Sequence, residues 1–199
     1  KFHLTIKLIK NSFSDEIIIY TDKELYCGMN QVSDTEMTVC FLENRKQSKI
    51  PSRERLIDVI KSNKHFQKVF SDEAIEYIKS ANIYGTGNIY FGNREVVENG
   101  IIMIGDAARV ISPVAGDGIG MAMESAKLLF EIISEFGIDE TNRGKVYSLY
   151  KKRYEKTFKK RLSTANIIQV IILNRKSRRL GFGLAKNYHS LLPYLIKFT

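Results

Sequence analysis

The sequence predicts a chain of mixed α/β class, α+β in layout: an antiparallel sheet, then a parallel strand and its helix, then C-terminal helices. Three observations carry this. Residues 2–42 hold four short runs rich in β-branched and aromatic residues, closely spaced. After Pro51 the apolar period changes from two to that of a helix. Residues 100–129, GIIMIGDAARVISPVAGDGIGMAMESAKLL, then join an unbroken apolar run to a glycine-opened amphipathic helix.

Element by element, FHLTIKLI, EIIIYT, ELYCGMNQV and EMTVCFL are separated by KNSFSD, DK and SDTE, polar turn segments. Strands this close pair antiparallel, so a β-meander is expected, its alternation leaving one wet or ligand-facing side. SRERLIDVIKSNKHFQKVF sets Leu56, Ile57, Ile60 and Phe66 at helical spacing, with Ser52 as the expected N-cap after Pro51. SDEAIEYIKS predicts a second helix, capped by Ser71 and acidic in its first turn. ANIYGTGNIYFGNREVV returns to strand-like residues, its interior glycines marking bulges or a close backbone approach. GIIMIG reads as a parallel strand buried on both faces. GIGMAMESAKLLFEIISEFG follows as a helix that Gly137 would cap. KVYSLYKKRYEKTFKKRLSTANIIQVIIL predicts a long basic helix, whereas glycines and a proline keep LGFGLAKNYHSLLPYLIKFT from forming one straight helix.

With 199 residues, 44% hydrophobic and 27% charged, the chain has globular composition, enough for one domain or two small ones. No apolar run approaches the ~18 residues of a spanning helix, and no signal-peptide layout opens the chain. KFHLTIKLIK instead enters directly on an alternating pattern without methionine, as expected of a piece of a longer chain. Cys27 and Cys40 lie in strand segments without metal-ligand spacing, so no metal site is expected. They read as reduced core cysteines of a cytoplasmic protein, a disulfide between neighbouring strands being the open alternative. Charge is uneven: residues 1–100 carry 14 basic and 14 acidic residues, whereas residues 101–199 carry 17 against 8. From Arg143 onward a single acid, Glu155, stands among 15 bases. Such a tail attracts an anionic surface, which admits peripheral contact at the inner face of a membrane, or it is simply a solvated helical face.

The Gly-Asp segment carries the chemistry. Gly105 would end the buried strand and let another group approach its backbone, and Asp106 would project from the strand's carboxyl end. A carboxylate there accepts charge-assisted hydrogen bonds from sugar-like hydroxyls. Beyond Pro113, AGDGIG would expose backbone N–H groups at a helix start, which favours an electron-rich or anionic group. Either half alone is an ordinary strand-to-helix turn or loop. Together they suit an extended cofactor better than a small metabolite.

GDAARVISPVAGDGIGMAMESAKLL closely resembles the second flavin-binding motif of the FAD-dependent oxidoreductases of the aromatic-hydroxylase-like superfamily. Within that superfamily it looks most like the geranylgeranyl reductase-like (FixC-like) branch. Aromatic hydroxylases usually carry histidine where Arg109 stands, and Asn and Asp where Gly120 and Ser125 stand; their branch is the alternative. ELYCGMNQVSDTEMTVCFL and ANIYGTGNIYFGNREVVENG are similar to strands of that family's substrate domain and of its return to the cofactor domain. The resemblance implies a substrate-domain portion over 1–93, the terminal part of a Rossmann-like FAD-binding domain over 94–136, and a basic helical region over 137–199. It implies FAD, with NAD(P)H admitted as electron donor. Asp106, beside Gly105 and Ala107, would bind the ribityl and pyrophosphate region. Gly116, Gly118 and Ile119 would offer amides to the pyrimidine edge of the ring, and Pro113 would line its face. No catalytic acid or base stands out: His3, His65 and His189 fall in unrelated contexts. The family's Gly-x-Gly-x-x-Gly fingerprint is not in this chain, so alone it should bind FAD poorly.

The expected function is electron transfer between FAD and a hydrophobic, isoprenoid-like substrate, with an aromatic-type flavin monooxygenase as the alternative. From another class stands a non-catalytic fragment that binds an anionic surface through its tail. Nucleic acid is disfavoured, because Tyr147, Tyr150, Tyr154 and Phe158 recur at the spacing of a helix core stripe.

Overall fold

A strand's pleat sends alternate residues to opposite faces, and in the computed structural model that alternation builds the first core. The structure describes residues 2–7, 17–22, 25–43, 50–64, 66–87, 89–174, 177–178 and 183. The expectation for residues 180–199 therefore falls almost wholly outside the described residues, as do His65 and His189. The chain divides into two compact units, Lys1–Asn88 and Ile89–Thr199.

In the first unit, β1 (Phe2–Lys7), β2 (Ile17–Asp22), β3 (Leu25–Ser33), β4 (Glu36–Glu43) and β5 (Tyr84–Gly85) form one antiparallel sheet. Its order is β2-β3-β4-β1-β5. The expected meander thus holds for β2 to β4 only. β1 leaves β2 and pairs with β4, from Phe2 opposite Phe41 to Lys7 opposite Glu36, giving a Greek-key order. The reason lies in β4: Met37, Val39 and Phe41 are fully buried, which suits a strand paired on both edges rather than the end of a meander.

These three side chains, with Leu25, Cys27 and Met29, face α1 (Ser52–Ser62), α2 (Phe66–Val69) and α3 (Asp72–Ser80), which contribute Leu56, Val59, Ile60, Phe66, Ala74 and Ile78. Arg53 Nη1 donates to the carbonyls of Ile78 at 2.5 Å and Lys79 at 2.6 Å, placing a cation at the negative end of α3. Ser71 caps α3 as expected, its hydroxyl accepting from the Ala74 amide at 3.2 Å. Ser52, however, is the first helical residue of α1, and Pro51 holds the N-cap position without a side-chain bond. Cys27 and Cys40 are free. They sit on adjacent strands, but Cys27 pairs with Phe41 and Cys40 with Gly28, so the pleat directs the two thiols to opposite faces.

The second unit corrects one expectation. Among the described residues GIIMIG pairs with no parallel strand and is not buried on both faces. Its strand, β7 (Ile101–Ile102), is two residues long and pairs antiparallel with β6 (Val97–Glu98), and Ile101 is 65% exposed. The cause is the turn before it, where Asn99 and Gly100 take φ of 50° and 78°. Two successive positive φ values make the tight turn that closes a two-residue hairpin, so the chain folds straight back on itself. Next come α4 (Gly105–Ala108), a single 3₁₀ turn (Pro113–Ala115), α5 (Gly118–Phe136) and α6 (Arg143–Leu173). Gly137 ends α5 with φ 70°, its amide donating to Ile133 at 2.8 Å. Val146, Tyr150, Tyr154, Phe158, Leu162 and Ala165 follow one face of α6 and fill the core with Val96, Val97, Ala108, Ile111, Met121 and Ile132. The aromatic stripe is therefore core, as its spacing indicated.

Candidate functional site

The Gly-Asp turn is built around one backbone hydrogen bond. The Gly105 amide donates to Ser125 Oγ at 3.0 Å, and Ser125, buried in α5, donates onward to the Ala122 carbonyl at 2.9 Å. Gly105 has φ +55°, and a Cβ there would stand 3.1 Å from the Ala122 methyl. Backbone conformation and close packing thus both select glycine. Asp106 and Ala107 follow in the short α4, both exposed. Among the described residues the Asp106 carboxylate has no ion-pair or hydrogen-bond partner, so it is available to a ligand's hydroxyls.

The turn then dips inward. Ser112 is fully buried and donates to Gln169 Oε1 of α6 at 2.6 Å. Pro113 opens the 3₁₀ turn, its fixed φ suited to a first helical position. Gly116 closes the turn at φ 69° and ψ 4°, and a Cβ there would point into open space. Gly118 begins α5, with Ile111 3.8 Å from where a Cβ would lie, and the Ile119 side chain is 76% exposed. Asp117 stands at the N-cap position but makes no side-chain cap bond. The first amides of a nineteen-residue helix, which have no intrahelical acceptors, are left without that partner.

α6 splints the segment along its length. Tyr147 and Tyr150 donate their hydroxyls to the carbonyls of Gly100 at 2.7 Å and Met103 at 2.8 Å. Lys151 pairs with Glu95 at 2.8 Å, and Glu155 binds Arg109. Arg109 also donates to the Arg94 carbonyl at 3.1 Å and lies over the Tyr154 ring. Arg161 Nη1 is 3.2 Å from Asp117 Oδ2 and 2.7 Å from Glu124 Oε2. Burial pushes the Tyr154 phenol up to about 12; Arg109 opposes the rise, and the charges of Glu155 and Asp106 add to it. Burial likewise raises Tyr150, with Tyr154 adding.

The structure thus anchors Gly105 against the second turn of α5 and places Gly116, Gly118 and Ile119 at the start of that helix, with Asp106 and Ala107 on the turn leading in. Sequence reasoning missed Ser112, Arg161 and Gln169, whose partners lie some forty to sixty residues away and leave no local pattern. For Arg109 a signal existed: Glu155 is the one acid in the basic tail, and an isolated acid among bases marks a specific partner. Among the described residues no group of His, Cys, Asp or Glu could hold a metal ion, and no helix is long and apolar enough to cross a membrane.

The family model for squalene epoxidase matches residues 11–174, most of the chain. The chain belongs to the squalene epoxidase family. Solved structures share its fold. PqsL of Pseudomonas aeruginosa, described as a probable FAD-dependent monooxygenase, is 16% identical at TM-score 0.61; the match covers 92% of this chain and 50% of that one. HpxO of Klebsiella pneumoniae, solved with FAD and uric acid, is 12% identical at TM-score 0.63, covering 99% and 51%. The tetracycline destructase Tet(51) is 12% identical at TM-score 0.60, covering 100% and 54%. This member of the squalene epoxidase family spans about half the length of these structures.

Proposed function

We propose that this chain supplies the substrate-domain and terminal cofactor-domain portions of an FAD-dependent monooxygenase acting on an apolar, isoprenoid-like substrate. The squalene epoxidase match across residues 11–174 carries the reading. Structural neighbours described as an FAD-dependent monooxygenase or solved with FAD support it. The residues present fit the cofactor: an unpartnered exposed carboxylate at Asp106, open space beside Gly116, and an uncapped start of α5. Bound FAD would supply the redox chemistry, with NAD(P)H as the donor of choice to test.

This chain's residues would hold and orient it. Asp106, steadied by Gly105 and followed by the small Ala107, would accept from the hydroxyls of the cofactor's chain. The amides of Gly116, Gly118 and Ile119 would face the electron-rich edge of the ring, where the positive end of α5 stabilises added negative charge. Pro113 would line the ring's face.

The geranylgeranyl reductase-like reading rests on Arg109, Gly120 and Ser125. Each has a packing role here: Arg109 binds Glu155, Ser125 accepts the Gly105 amide, and a Cβ at Gly120 would collide with Asp117 Oδ1. Those positions therefore cease to favour a reductase. Peripheral contact with an anionic membrane is part of the same proposal. Lys152, Lys156, Lys159 and Lys160 lie exposed on one face of α6, and Ile167 and Val170 continue that face.

The deciding experiment uses the natural full-length protein. It should be yellow with bound flavin, and it should consume dioxygen with NAD(P)H in the presence of apolar alkenes. One atom from ¹⁸O-labelled dioxygen should appear in the product. A full-length protein that stays colourless with added FAD overturns the reading; donor consumption without dioxygen uptake turns it to the reductase.

A further inference from the structure

The cluster Arg161–Asp117–Glu124 does more than tie α6 to α5. An aspartate at an N-cap normally accepts from the amide two or three positions on, here Ile119 or Gly120. Asp117 does not, although its Oδ1 crowds Gly120 so closely that a Cβ there would have to displace the carboxylate. Its other oxygen, Oδ2, is shielded from solvent, accepts no hydrogen bond among the described residues and has Arg161 Nη1 3.2 Å away. Arg161 in turn is fixed by its 2.7 Å bond to Glu124, two turns into the same helix.

We propose that Arg161 is a positioning residue that holds the Asp117 carboxylate off the α5 amides, so that the Ile119 and Gly120 N–H groups remain free for a ligand. The inference rests on the flavin reading for the identity of that ligand, but not for the geometry of Asp117. Without Arg161, a shielded carboxylate oxygen would lose its counter-charge. The nearest remedy is a small rotation onto the amides beside it, which would cap the helix and close the anion-favouring site from within. Gly120 has a matching reason: any Cβ there would push the carboxylate from its held position.

Two measurements in the natural full-length protein test this. The first is amide exchange at Ile119 and Gly120 by NMR, without flavin. Arg161→Gln should slow it about fivefold, the effect of gaining a side-chain cap, whereas R161K should exchange like wild type. The second is FAD affinity by fluorescence titration, where R161Q should bind about fivefold more weakly. Asp117→Ala supplies the second arm. D117A alone should keep fast exchange and wild-type affinity, and R161Q/D117A should recover both, because no carboxylate remains to block the amides. Unchanged exchange in R161Q, or a double variant as weak as R161Q, overturns the positioning role. A wild-type protein that binds no FAD overturns the flavin reading, while the exchange experiment still decides what Arg161 does to Asp117.

Discussion

At Gly105, φ +55°, the 3.1 Å approach to Ala122 and the amide bond to Ser125 converge on one residue. Gly105→Ala must take up a left-handed conformation costing about 1–2 kcal/mol and also move the Ala122 methyl. It should lower the melting temperature by several degrees, measured by circular dichroism. Ser125→Ala strands the Gly105 amide, at about 1–3 kcal/mol. The two losses share one contact, so the double variant should lose less than their sum, and full additivity would contradict the shared bond. Cys27 poses a different test. Burial, with a smaller contribution from Cys40, pushes its thiol from 9.0 up to about 12. The unfolded thiol ionises near pH 9 while the folded one stays neutral, so this contribution is whole below pH 9 and is lost as pH rises toward 12. Urea titrations from pH 8 to 11 should show stability falling with pH, and C27A should flatten that slope. Equal slopes would show that Cys27 is no more protonated in the fold than out of it.

Among the elements, α6 decides whether the Gly-Asp segment keeps its shape. Phe158 is wholly buried, its ring 4.6 Å from that of Tyr154, which lies under Arg109. Phe158→Ala should cost about 3–5 kcal/mol. Tyr150→Phe removes only the hydroxyl given to Met103 and should cost about 1 kcal/mol. Equal losses in chemical denaturation would mean that the aromatic column is not the splint. The helices were legible because periodicity is local: α3 with its Ser71 cap, α5 with Gly137, and the buried stripe of α6 all follow from spacing and end residues. The α+β class was legible for the same reason. Strand partners were not. β1 pairs with β4, some thirty to forty residues away, and no short window displays such a partner. The apolar content of GIIMIG favours a parallel strand, whereas Asn99-Gly100 just before Ile101 turns the chain back on itself. Of the candidate site, glycines, proline and acid were visible as a motif, whereas the α6 side chains that brace it were not, because an ion pair spanning 46 residues has no sequence period.

Over the whole molecule, charge and core are partitioned together. Among the described residues the core around β3, β4 and α1 draws on residues from Ile18 to Ile83, and Lys1–Asn88 carries 13 bases against 12 acids. The core around α5 and α6 lies in the second unit, whose helix exposes Lys152, Lys156, Lys159 and Lys160 along one face. A segment with its own buried sheet-and-helix core can fold as a domain, so Lys1–Asn88 expressed alone should unfold cooperatively in urea. It should also ignore lipid. The full 199-residue chain should sediment with vesicles containing anionic phospholipid and not with neutral ones, and moderate salt should release it, since each lysine near the surface contributes about 1 kcal/mol that falls off within a Debye length. Replacing the four lysines by glutamine should weaken binding by orders of magnitude without moving the melting temperature, because none of them enters the core. If the glutamine variant binds as well as the wild type, the exposed face of α6 is only a solvated surface. If Lys1–Asn88 binds the vesicles too, net charge is not what recognises them.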